Sequence, residues 1–252
     1  MKEDAALSGA NFAVILGDLA YADCDQPRWD TFGVMIEPLA SGMPLMVGGA
    51  GNHEIEYIND VTPIFEAFEK RYFMPAVKPA DGQSPAGIQW GELDDDAEGR
   101  SCTPSEARSN YKWGNAFYSV NDGPLHLVAL SCYSKADQYS DQYTWVRDDL
   151  ATVDRSVTPW VIVTMHCPWY STNTHHLSEW QAHDMQESLE PVFMQYGVDL
   201  VLSGHVHAYQ RSHPVYKGEV VADGSKAPVY VVLGDGGNRE GHALGCGRPS
   251  LA

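Results

Sequence analysis

Short apolar runs that stop abruptly at glycine, asparagine or histidine set the rhythm of this chain. Phe12 to Leu16 (FAVIL) stops at Gly17-Asp18, and Pro44 to Val47 opens into GGAGNHE. Trp160 to Met165 (WVIVTM) stops at His166, Val198 to Leu202 (VDLVL) at Ser203-Gly204-His205, and Pro228 to Leu233 (PVYVVL) at GDGGN. Runs of this length bounded by small or turn-forming residues read as buried strands. Between them the apolar period changes from two to nearly four. Trp29, Phe32, Gly33, Ile36, Leu39 and Ala40 mark a helix over 27–40, with Pro27 suited to its first turn. Further helices are expected over 64–72, 139–153 and 179–196. Phe117 to Val120 and Leu125 to Ser131 read as a hairpin turning on Asn121-Asp122-Gly123. Strands alternating with helices make this an α/β protein. No repeat, low-complexity tract or linker divides residues 1–252, so a single domain is expected.

Periodicity fails over 74–111, where Pro75, Pro79, Gly82, Pro85, Gly87, Gly91, Gly99 and Pro104 punctuate a segment that includes the acidic run Glu92 to Glu98. A loop of this length inside a compact domain is usually a lid or an insertion. The formal charge of −18 argues against nucleic acid or an anionic membrane as partner, since both reward clustered Lys and Arg. No apolar run approaches the roughly 20 residues of a membrane helix. The five cysteines, Cys24, Cys102, Cys132, Cys167 and Cys246, show no CxxC pair and no zinc spacing. They read as buried or loop thiols, with Cys102 and Cys246 the most exposed.

Four of the strand ends carry metal-capable side chains: Asp18 and Tyr21, Asn52 and His53, His166, and His205 with His207. In a parallel arrangement these ends lie on one edge of a sheet and converge, which is where open α/β sheets place their ligands. Oxygen and imidazole donors without a thiolate disfavour structural zinc or an iron–sulfur cluster. They suit iron, manganese or catalytic zinc. The set is too large for one metal, and one carboxylate on the first loop could bridge two. His126, within a strand, reads as a satisfied structural histidine. His183, His213 and His242 read as surface or tail residues, Trp169 and Tyr170 as pocket walls, and Asp235 as a turn former.

The motifs GDLAY (Gly17–Tyr21), GNHE (Gly51–Glu54), TMHCPWY (Thr164–Tyr170) and GHVHAYQR (Gly204–Arg211), in that order, resemble those of the metallophosphoesterases and specifically the purple acid phosphatases of the large plant and protist type. A His-His pair at His175-His176 and the segment APVYVVLGDGGNREG add to the likeness. The resemblance implies a metallophosphoesterase β-sandwich flanked by helices, four layers in the order αββα. It also implies hydrolysis of small phosphomonoesters at acid pH by Fe3+ paired with Zn2+, Mn2+ or Fe2+, in a secreted or vacuolar/lysosomal protein. By the same resemblance Asp18 bridges the two metals, Tyr21 and His207 bind the ferric ion, and Asn52, His166 and His205 bind the divalent one. His53 contacts the phosphate, while His176 and His175 bind substrate and protonate the leaving alkoxide.

The family's domain opens with a further strand ending in GDxG, whose aspartate completes the ferric site. No such strand lies between Met1 and Phe12, and Asp4 has no apolar run before it. A catalytic domain lacking its first strand, and cut short at its carboxyl end, is therefore expected. Two alternatives remain open: a phosphodiesterase or nucleotide pyrophosphatase of the same superfamily, and an impaired chain acting as a binding or regulatory protein.

Overall fold

The computed structural model describes residues 9–56, 64–75, 102–104, 106–109, 111–112, 114–176, 179–222 and 226–245. Asp4, the acidic run Glu92 to Glu98 and Cys246 lie outside them, as does most of the 74–111 loop. The apolar runs form strands β1 (Ala13–Ile15), β2 (Leu45–Val47), β5 (Trp160–Met165), β6 (Leu200–Ser203) and β9 (Val229–Leu233). A hairpin supplies β3 (Tyr118–Asp122) and β4 (Leu125–Ala129). The helices are α1 (Pro27–Ala40), α2 (Glu66–Arg71), α3 (Asp141–Ala151) and α4 (Trp180–Tyr196). Local chemistry sets their ends: the Ser140 hydroxyl accepts from the Tyr143 amide to cap α3, and Gly197, at φ 67°, closes α4 in the left-handed region.

β1 and β2 pair in parallel as a small sheet. With β7 (Tyr209–Tyr216) and β8 (Glu219–Val220), the large sheet has seven strands in the order β3-β4-β5-β6-β9-β7-β8, in which β4, β5, β6 and β9 run parallel. Alternation along β5 shows how the layers stack. Val161, Val163 and Met165 join a core with Val146 and Leu150 of α3 and Met185, Leu189 and Phe193 of α4. Ile162 faces the other way, toward Met46 of β2, Tyr118 of β3, and Leu127 and Ala129 of β4. The large sheet is thus covered by helices on one face and by the small sheet on the other, and the Tyr118 hydroxyl ties the two sheets by donating to the Val47 carbonyl at 2.7 Å. The carboxyl ends of β1, β2, β5 and β6 consequently open toward one another.

Three expectations need correction. The hairpin turns on Gly123-Pro124, because Asn121 and Asp122 continue the ladder opposite His126 and Leu125. β7 (Tyr209–Tyr216) and β8 (Glu219–Val220) were not anticipated, since β7 is mostly polar and carries Pro214 at a break in its register with β9. Their tight turn uses Lys217 and Gly218, both at positive φ. Finally, Cys24 and Cys102 form a disulfide across 78 residues, and Cys102 is half-buried. A partner so distant leaves no spacing signature. Cys132 and Cys167 are buried free thiols. The disulfide at Cys102 and Tyr111, which stacks on Phe65 and donates to Glu69, both fasten the carboxyl-terminal part of the long loop. No helix among the described residues is long and apolar enough to cross a membrane.

Candidate metal centre

Asp18 stands where the converging strand ends meet. Its Oδ2 lies 3.1 Å from His166 Nε2 and accepts from the Tyr21 hydroxyl at 3.4 Å, while Oδ1 accepts from the His53 amide at 3.1 Å. One carboxylate therefore faces two groups. On one side His166 Nε2 lies 3.0 Å from His205 Nδ1, and ligand atoms of Asp18, His166 and His205 all fall within 4.8 Å of one another. On the other, the Tyr21 hydroxyl is 3.0 Å from His207 Nε2. Asn52 and His53 come from the turn after β2, both buried.

Each histidine has its outward ring nitrogen committed to an acceptor. His166 Nδ1 donates to the Leu16 carbonyl at 2.7 Å, His205 Nε2 to Glu179 at 2.8 Å, and His207 Nδ1 to the Gly241 carbonyl at 3.0 Å. Carbonyls and carboxylates only accept, so these contacts fix the proton on the outer nitrogen and aim the other lone pair inward. His166 Nε2 also faces Asp18 Oδ2 at 3.1 Å, so in the metal-free protein a proton on that nitrogen lies between Asp18 and His205, in the place a cation would take. Burial opposes a charge on His166, yet the adjoining Asp18 carboxylate raises it to about 9. Burial lowers His205 to about 4 despite its bond to Glu179, with the neighbouring His166 adding to the effect. For Asp18 burial acts upward, but the His166 charge and hydrogen bond hold it well below the usual carboxylate range.

The backbone is bent to make this possible. Asp18, Tyr21, His176 and His205 adopt φ of 52°, 46°, 58° and 64°, a region non-glycine residues rarely occupy and which concentrates at functional sites. Glu54 holds the first two loops together: fully buried, it accepts from the amides of Asp18 at 2.7 Å, Leu19 at 2.8 Å and Gly51 at 2.7 Å. Gly51 is required by the closeness of that approach, because a Cβ there would collide with the Asp18 carboxylate.

The histidines expected to meet substrate are placed unequally. His53 Nδ1 is 2.5 Å from Asp23, and its ring packs 4.1 Å from that of Tyr21. His176 is exposed, with Nδ1 2.5 Å from Glu179 and its ring 3.9 Å from that of His205. His175 is also exposed; its ring lies 6.3 Å from that of His176, the nearest candidate ring it faces. A cavity of about 150 Å³ opens beside His176 and Glu179, walled by Trp169, Tyr170 and Ser171. A larger one of about 310 Å³, lined by Lys112, Lys135 and the start of α3, contains none of these residues. His126 is satisfied by Asn121 at 2.6 Å and Asp149 at 2.8 Å.

Glu179, Asp23 and Asn238, whose Nδ2 donates to the Tyr21 hydroxyl oxygen at 2.8 Å, escaped the sequence reading. Glu179 had a signal, an acid three residues after His176 at the head of a helix. Asp23 and Asn238 sit in loops with no period to mark them.

The fold and this set of donors have known counterparts. Residues 3–209 match the family described as Calcineurin-like phosphoesterase, and the chain belongs to that family. Among its curated relatives, Purple acid phosphatase 22 of Arabidopsis thaliana is 39% identical over 234 residues, covering 92% of this chain and 45% of the relative. The Fe(3+)-Zn(2+) purple acid phosphatase 12 of the same plant is 34% identical over 243 residues, covering 90% and 44%. The chain thus spans less than half the length of these relatives. A solved purple acid phosphatase from yellow lupin (Lupinus luteus) seeds shares the fold at a TM-score of 0.72 and 22% identity, covering 98% of this chain and 40% of that one.

Proposed function

We propose that the chain carries the catalytic site of an acid phosphatase, hydrolysing small phosphate monoesters with Fe3+ and a divalent ion, Zn2+, Mn2+ or Fe2+. The observation that carries this reading is the Asp18 carboxylate held between two donor groups, Tyr21 with His207 and His166 with His205. The donor chemistry fits such a pair. Asn52 Oδ1 is buried without a hydrogen-bond partner among the described residues, an arrangement that costs about 1–3 kcal/mol unless something binds there. In this reading Tyr21, His207 and Asp18 hold the ferric ion, whose hardness suits a phenolate, and Asp18, Asn52, His166 and His205 hold the divalent one. The metal pair supplies Lewis acidity toward the phosphoryl oxygens and lowers the pKa of water.

The protein's own groups do the remaining work. Asp23 accepts from His53 Nδ1, leaving Nε2 to donate to a phosphoryl oxygen when the ring is protonated. Glu179 accepts from His176 Nδ1, so Nε2 is the atom that delivers a proton to the departing alkoxide. His175 assists from the rim. Trp169 and Tyr170 wall the cavity beside His176, where the leaving group would lie. A secreted or vacuolar/lysosomal compartment accords with the Cys24–Cys102 disulfide, which persists in oxidising surroundings.

The test is hydrolysis of 4-nitrophenyl phosphate at acid pH by protein loaded with iron and zinc, beside bis(4-nitrophenyl) phosphate. Monoester turnover exceeding diester turnover, and lost in Asp18→Asn, is expected. Turnover no greater than that of Asp18→Asn would reject the reading, and diester preference would replace it with a phosphodiesterase.

A further inference from the structure

In the segment after β9 only the Gly241 carbonyl was given a role above, yet every residue from Asn238 to Gly241 touches a group of the site. Asn238 Nδ2 donates to the Tyr21 phenolic oxygen at 2.8 Å and lies 3.1 Å from His207 Nε2. Arg239 pairs with Asp23, the carboxylate that orients His53. Glu240 stands 3.7 Å from His53 Nε2 and 3.9 Å from His207 Nε2. The Gly241 carbonyl accepts from His207 Nδ1 at 3.0 Å, and the Ala243 amide donates back to the His207 carbonyl at 3.0 Å. The segment keeps its own shape because Asn238 Oδ1 accepts from the Glu240 amide at 2.8 Å, a turn closed by the same side chain whose nitrogen reaches Tyr21.

We propose that Asn238 is a positioning residue for the Tyr21–His207 half of the centre, and that its amide hydrogen bond sets how strongly the Tyr21 oxygen donates electrons to whatever it binds. The inference rests on the assignment of Tyr21 to iron. An amide N–H aimed at a phenolate oxygen stabilises the lone pairs that would otherwise be shared with the metal. Phenolate-to-ferric charge transfer then requires more energy. Removing the donor raises those lone pairs and lowers the transition energy. The two ends of the side chain have separable jobs: Oδ1 shapes the turn, and Nδ2 addresses Tyr21.

Asn238→Asp and Asn238→Ser exploit that separation. Aspartate keeps the acceptor for the Glu240 amide and the size of the side chain but offers Tyr21 no donor. Serine keeps a turn acceptor and offers a hydroxyl. The measurement is the visible absorption band of the iron- and zinc-loaded protein, normalised to iron content. Relative to the wild-type protein, the Asn238→Asp band moves to longer wavelength, and the Asn238→Ser band lies between the two. If Asn238→Asp loses iron while its far-UV circular dichroism is unchanged and Asn238→Ser retains it, the positioning role stands. An iron-replete Asn238→Asp protein with an unshifted band overturns the proposal, as does equal iron loss in both variants. Absence of the band from the wild-type protein would instead defeat the assignment of Tyr21 to iron.

Discussion

Asn52 carries a cost that the metal-free protein cannot recover. Its Oδ1 is buried without a hydrogen-bond partner among the described residues, so replacing it by a leucine of similar size should relieve the apoprotein while removing a metal donor. Asn52→Leu is expected to stabilise the apoprotein by about 1 kcal/mol in denaturant unfolding and to weaken uptake of the divalent ion. A destabilised apoprotein with unchanged metal affinity would mean that Asn52 is an ordinary turn residue. His176 carries a different kind of prediction, because a general acid matters most when the leaving group is poor. His176→Ala should lower kcat on an alkyl phosphate by about 10²–10⁴-fold, with a much smaller effect on 4-nitrophenyl phosphate, whose phenolate departs without a proton. Equal losses on both substrates would assign His176 to phosphate binding instead.

At the scale of elements, the loops after β1 and β2 stand or fall together through Glu54. Its carboxylate satisfies three backbone amides that would otherwise be buried without acceptors, and burial together with Asp18 raises its pKa above the usual range. Glu54→Ala is therefore expected to cost about 3–5 kcal/mol by urea unfolding. A loss under 1 kcal/mol would show that the loops hold themselves. These elements also show what could be read in advance. β1, β2, β5, β6 and β9 were legible because buried strands are continuous apolar runs, and α1 was legible to the residue because its period is regular and Pro27 marks its start. β7 was not, since a mostly polar strand next to the sheet's edge that carries Pro214 has the composition of a loop. The residues gathered around Asp18 were legible because each follows a strand end within a few positions. Glu179, Asp23 and Asn238 became visible only once the loops were folded, because what marks them is the partner they reach and not the sequence around them.

For the whole molecule, the metal-free centre sets a pH dependence. His166, raised to about 9, contributes stability that is complete below its ordinary 6.5 and is lost as pH rises through 9. His205, depressed to about 4, acts oppositely: its contribution is complete above 6.5 and is lost as pH falls toward 4. Glu179 adds to the acid side: burial would raise it, but hydrogen bonds from His176 and His205 hold it at about 2, so its share declines as pH falls below 4.5. The apoprotein should be most stable between about pH 6 and 7 and lose stability on both sides. Metal occupancy should flatten the alkaline arm, because His166 then has no proton to lose, and steepen the acid arm, because protons compete with the metal for both histidines. Thermal unfolding of apo and metal-loaded protein from pH 4 to 9 tests this, and parallel curves would contradict it.

In the proposed function one carboxylate, that of Asp18, organises two metals. Elemental analysis of protein reconstituted with iron and zinc and freed of excess metal measures this directly, with Asp18→Asn as its comparison. Two metal ions per wild-type chain are predicted, iron and zinc in equal amounts, and markedly fewer in Asp18→Asn. A single ion per chain, or a metal content that Asp18→Asn leaves unchanged, would contradict the account.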